Sequence, residues 1–174
     1  MDLGAHYLEN ALSTLRYYKT LGETAIEQVS DEQLHWTPDP EANSIAIVVK
    51  HMAGNMRSRW TDFLTTDGEK PDRNRDGEFV DDLGSQADLL HLWEHGWRQV
   101  FDAITPLAPA DLMSIVTIRK REHTVAQAID RQIAHYAYHV GQIVCLARML
   151  AKEGWRPLSI PRGQSGSYEP KGRI

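Results

Sequence analysis

Histidine is the residue type with the most chemistry in this chain: there are eight in 174 residues, and a neutral imidazole is a common ligand for divalent metals. Two pairs share the i, i+4 spacing, His91 with His95 and His135 with His139. On a helix that spacing puts both rings of a pair on one side, about a turn apart. Around the second pair, Val125, Ile129, Gln132, Tyr136, Val140, Ile143, Ala147 and Leu150 form one stripe at about 100° per residue. His139 lies inside the stripe and His135 on its edge. Two imidazoles facing a packed interior in this way can share a divalent cation, as in helix-borne zinc sites. The same spacing also suits two histidines bonded to neighbouring groups in a metal-free core. His91 and His95 point away from the apolar side made by Leu90, Trp93, Trp97, Phe101 and Ile104, so they are expected in solvent with Arg98 and Asp102.

A metal site needs a further ligand from another helix, and His51 is the best candidate. It flanks the stripe of Val48, Met52 and Trp60, on the side of Asn55 and Asp62. That position suits a ligand reaching into a cleft and equally suits an exposed histidine. Asn55 and Gln142 stand about one turn from candidate ligands. They either orient a ligand or contact a substrate or cofactor, or they are ordinary polar residues at a helix contact. Asp62, about three turns from His51, is too distant to touch the metal. His35 and His123 fall near helix starts, where capping or solvent contact is expected, and His6 lies near the amino terminus. The single cysteine, Cys145, excludes an internal disulfide and a Cys-only metal site. It projects nearly opposite Ile143, away from His139, and is expected to be buried or at a subunit contact.

Four helical periodicities must carry these residues. The first runs from Leu3 to about Val29, and Ser30 with Gln33 then resembles a capping box for a short turn. The second starts after Asn43 or Ser44 and reaches about Phe63. The third, capped by Ser85 with Asp88, reaches Ile104. The fourth starts near Thr124 and reaches Lys152, with Gly154 as its stop. Ser114 to Arg119 reads as extended. The connection 64–84 carries seven acidic residues against Lys70, Arg73 and Arg75, and loops of that length tend to be functional or disordered. This pattern predicts an all-α, up-down four-helix bundle over 1–154 with an irregular tail over 155–174. Trp60, Trp93 and Trp97 fit the core, with their indole N–H groups bonded at its edge, whereas Trp36 and Trp155 flank loops and suit either a cleft lining or, the preferred expectation, a subunit contact.

Forty-one percent apolar and 25% charged residues mark a globular chain. A net charge of -5 argues against a general nucleic-acid binder, and the locally basic tail (Arg156, Arg162, Lys171 and Arg173 against Glu169) reads as solvated. The longest charge-free run, Gln132 to Ala147, is too short and polar for the roughly 20 apolar residues of a membrane span. Asp2 and Glu9 interrupt any export signal, so a cytoplasmic location is expected.

The segment His135-Tyr-Ala-Tyr-His139-Val-Gly141-Gln142 resembles the H-x-x-x-H-x-G-Q signature of the DinB-like (DinB/YfiT) superfamily. His51-Met-Ala-Gly54-Asn55, followed by Trp60, resembles its second-helix histidine segment. The acidic connection and Ser159-Ile-Pro161-Arg162-Gly163 resemble a branch of unestablished function. The resemblance implies one divalent ion, usually nickel or zinc, held by His51, His135 and His139. It also implies a homodimer and, in some relatives, use of a low-molecular-weight thiol. The expected activity is a metal-dependent transfer or hydrolysis on a small molecule. The alternatives are a non-catalytic, metal-containing stress or interaction protein, and a core whose histidines never hold metal.

Overall fold

The computed structural model describes residues 2–167, which are mostly helical. Among them are five α-helices: α1 (Leu3–Ile26), α2 (Asp31–Leu34), α3 (Ile45–Trp60), α4 (Gln86–Ile104) and α5 (Val125–Ala151). An antiparallel hairpin, β1 (Ile115–Ile118) and β2 (Arg121–Thr124), leads directly into α5. Side chains fix the helix starts. Asp2, Ser44, Ser85 and Thr124 each accept a backbone N–H from the first turn, and Ser30, Ser85 and Thr124 complete reciprocal capping boxes. Such caps are worth about 1 kcal/mol each.

Helix α3, the second of the four periodicities, ends at Trp60, earlier than its apolar spacing predicts. Thr61 is extended and Asp62 takes a positive φ of 48°, so Asp62 sits in a turn and not on the His51 side of a helix. Likewise α5 stops where Lys152 adopts φ 49°, and Gly154 closes the 3-10 turn that follows.

The long helix α3 packs on α4 and α5, and α1 packs on the same two, so the four long helices close a ring. Leu15, Ile26, Met52, Met56, Trp93, Trp97, Ile129 and Tyr136 fill the interior. Gly96 brings α4 close to α3: a Cβ there would lie 2.9 Å from Met56 Sδ. Trp60 donates its indole N–H to Tyr136 Oη at 2.8 Å. The indole N–H groups of Trp93 and Trp97 find no acceptor, contrary to expectation, because their surroundings are aromatic rings and aliphatic side chains.

Helix α3 is buried on nearly every side, with the polar His51, Asn55, Ser58 and Arg59 among its buried residues. The cause is the connection 64–84, which lies across α3 instead of waving in solvent. Asp67 ties it to the hairpin. Its carboxylate accepts the backbone N–H groups of Glu69, Arg119 and Lys120 at 2.7–2.8 Å. Burial opposes ionisation of Asp67, yet these donors hold its pKa below the ordinary carboxylate value. Arg119 and Lys120 form the turn at φ 55° and 61°, positions that normally favour Asn-Gly. Glu69 gathers Arg59, Arg119, Arg73 and Arg75 within 4.0 Å. At the far end, His35 pairs through Nδ1 with Asp81 (2.7 Å), which also accepts from Ser44 Oγ. The His35 side chain therefore fastens this segment, while its backbone forms the C-cap of α2.

Past α5, Trp155 and Leu158 pack back on the core, and Arg156 exchanges two hydrogen bonds with Gln28. Glu169, Lys171 and Arg173 lie outside the described residues. Among the described residues no helix is long and apolar enough to cross a membrane.

Candidate metal centre

Helices α3 and α5 face each other where His51, His135 and His139 meet. One ligand nitrogen from each lies within 4.8 Å of the others. His135 Nε2 and His139 Nε2 are 3.1 Å apart. Two nitrogens at about 2.0–2.1 Å from a shared ion stand about 2.8–3.0 Å apart in octahedral and about 3.3–3.4 Å apart in tetrahedral geometry, so this pair, lying between the two, already has a chelating bite.

The second nitrogen of each ring decides whether the first presents a lone pair. His51 Nδ1 faces Glu78 Oε2 at 3.0 Å and donates to it, leaving Nε2 for a ligand bond. His139 Nδ1 donates to Gln142 Oε1 at 2.8 Å, with the same result, and Gln142 in turn reaches Tyr138 Oη. His135 differs, because its Nδ1 is buried and finds no partner. Carboxylate and amide acceptors behind metal-binding histidines fix the tautomer and raise ligand basicity.

At His135 and His139 the neutral ring is also favoured electrostatically. Burial pushes the His135 imidazole down to about 3, helped by the charges of His139 and His51 beside it. Burial lowers His139 as well, against the Gln142 hydrogen bond. Glu78 is only 6% exposed. Burial disfavours its charge, but Arg73 outweighs that with two contacts at 2.7 and 2.8 Å, and His51 adds a further hydrogen bond, so its pKa falls below the usual carboxylate range.

Glu78 and Arg73 carry no distinguishing signal in the sequence, where they belong to a run of charges. Gly54 does carry one, since glycine inside a helix costs about 1 kcal/mol relative to alanine and asks for a reason. The reason is Glu78: a Cβ at position 54 would lie 2.6 Å from Glu78 Cδ. Only glycine lets the carboxylate come close enough to reach His51.

The other named residues fall as follows. Asn55 is buried beside His51, and its Oδ1 accepts a long hydrogen bond from Tyr136 Oη (3.4 Å). Phe79 stacks on His51 at 5.0 Å and remains half exposed. His91 and His95 are exposed on α4, and His123 is bonded to the Arg121 carbonyl. Cys145 is exposed, facing Trp155 and the segment 157–162, so of the two expectations, burial or a subunit contact, burial does not hold.

A family model described as a protein of unknown function (DUF1572) matches residues 2–164. No curated protein matches the chain. A crystal structure of a DinB-like protein from Bacillus cereus is similar, with a TM-score of 0.59 at 19% identity, covering 81% of this chain and 91% of that one. The likeness is one of fold, and it is the fold that the two histidine segments led one to expect.

Proposed function

The chain belongs to the DUF1572 family, and we propose that it is a metal-dependent enzyme acting on a small molecule, with His51, His135 and His139 holding one divalent ion. The observation that carries this reading is the convergence of three imidazoles, two of them with the remaining nitrogen fixed by Glu78 and Gln142. In this reading the long helices serve as an up-down four-helix bundle over 1–154 that sets α3 against α5. Three neutral ligands leave coordination positions open, as in catalytic rather than structural sites. Nickel or zinc there would supply Lewis acidity, activating a water or a low-molecular-weight thiol for transfer or hydrolysis.

The residues of the chain do the positioning. Glu78 and Gln142 hold two rings in the productive tautomer, and the buried Arg73 keeps Glu78 ionised. Asn55 stands within reach of a molecule bound beside His51, while Phe79 and Tyr138 offer apolar surface at the mouth. A homodimer is part of the proposal. Gly141, where an added Cβ would meet nothing, and the exposed Cys145 line a groove between α5 and the segment 157–162, which is the face offered to a second copy.

The test is elemental analysis of freshly purified protein without a histidine tag, followed by a thiol-conjugation and hydrolysis screen with and without chelator. About one equivalent of metal in the wild type, lost in His139→Ala, supports the site. Unchanged stoichiometry in that variant overturns it. Metal without turnover would leave a non-catalytic, metal-containing protein.

A further inference from the structure

Beside the trio opens a cavity of about 360 Å³, with His51 and His135 on one wall. The remaining wall is cationic: Arg59, Arg75, Arg119 and Arg131 line it together with Gln132, and no carboxylate does. Glu69 stands behind three of these arginines, bonded to Arg59 at 3.1 Å and Arg119 at 3.0 Å and 3.9 Å from Arg75. One carboxylate shared among three guanidinium groups leaves the cavity positively charged. Arg131 makes no ion pair among the described residues.

Two buried groups in the same wall lack partners. Gln132 is 3% exposed and its Oε1 bonds to nothing, and Arg59 is 4% exposed with Nε unpaired. Buried polar atoms in folded proteins are nearly always satisfied, so unpaired ones at a cavity wall point to something that enters it. The side-chain amide can present either its N–H or its oxygen, since the two ends interchange by a flip. Arg119 is carried there by a hairpin turn with two residues at positive φ, held in place by Asp67. Backbone held in sparsely populated conformations tends to cluster at ligand sites.

We infer that this cavity receives the oxyanion group, a carboxylate or a phosphate, of a small anionic substrate whose reacting end meets the three histidines. Guanidinium forks match the planar and tetrahedral oxygens of these groups with paired N–H donors. The volume suits a small molecule. The inference deepens the proposed metal-dependent function by naming its substrate class, and it rests on that reading only for the reacting end.

The experiment is calorimetric titration of tag-free protein with inorganic phosphate and, separately, with succinate, first after chelator treatment and again after metal is restored. The metal-free wild type is expected to bind a probe saturably, one per chain. Arg131→Gln should weaken that binding about tenfold, the loss of one charge-assisted contact. Arg148→Gln, on the same helix but outside the cavity, should leave it unchanged. Tighter phosphate binding assigns a phosphorylated substrate, and tighter succinate binding a carboxylated one. Absence of saturable binding by either probe overturns the inference, as does wild-type affinity in Arg131→Gln. Binding that appears only after metal is restored also overturns it, by placing the anion on the ion. Because the first titration contains no metal, failure of the metal site and failure of the anion site give different results.

Discussion

Helices α4 and α5 each carry two histidines four residues apart, and the surroundings of the two pairs have little in common. His91 and His95 stand exposed on α4, whose inward side is given to Trp93 and Trp97. His135 and His139 turn toward α3, where they meet His51, and Gln142 of their own helix accepts a hydrogen bond from His139. A helix supplies the bite of a chelating pair at no extra cost. What distinguishes a candidate site is a ligand from a second helix, exclusion of water, and acceptors that decide which nitrogen keeps its proton.

The comparison can be broken most severely by exchanging alanine into each pair. His135→Ala/His139→Ala is expected to remove bound metal entirely, while His91→Ala/His95→Ala retains it, as read by elemental analysis. Equal losses would mean that the address of a pair does not matter. Next in size is the opposite role of α4. Trp97→Ala should destabilise the fold by about 3–5 kcal/mol in urea denaturation, since it empties a fully buried aromatic site. A smaller effect is expected behind the ligands. Glu78→Gln should weaken metal binding about 10–100-fold without abolishing it, and Gly54→Ala should act in the same direction by displacing Glu78. Competition titration against a chromophoric chelator measures both.

The pH response sharpens the contrast further. His135 is held near 3 in the folded chain against its ordinary 6.5, so the unfolded chain takes up its proton first as pH falls. Stability of the metal-free protein should therefore decline from about pH 6.5 toward 3, and His135→Gln should flatten the decline where it overlaps least with carboxylate titration, above about pH 4.5. Urea midpoints across that range test it. Smallest of all, His91→Ala alone should move stability by no more than about 0.5 kcal/mol, the usual range for a surface substitution.

Much of this was legible in the sequence, for identifiable reasons. The stripe from Val125 to Leu150 repeats at helical period because α5 packs along its length, and the Ser30, Ser85 and Ser44 starts follow from local hydrogen-bond chemistry. His51 was legible as a candidate but not as a buried residue, because its cover comes from a segment distant in sequence. Glu78 looks like any of its acidic neighbours until Arg73 and Gly54 are seen around it. The Arg119-Lys120 turn was invisible because it lacks the usual Asn-Gly, its conformation being held by Asp67 instead of by its own residues. The exposure of Cys145 was not legible, since helical periodicity tells which side of α5 a residue occupies but not whether another element covers that side.

The connection across α3 has a consequence for how the chain tolerates change in length. Surface loops commonly absorb insertions and deletions, but this one is moored at Asp67 to the hairpin turn and at Glu78 to an imidazole. Between those moorings it works as a strap of fixed length, so a residue added or removed there would pull on His51 or on Arg119. The same change made between Pro106 and Ala108, just past α4, would disturb neither.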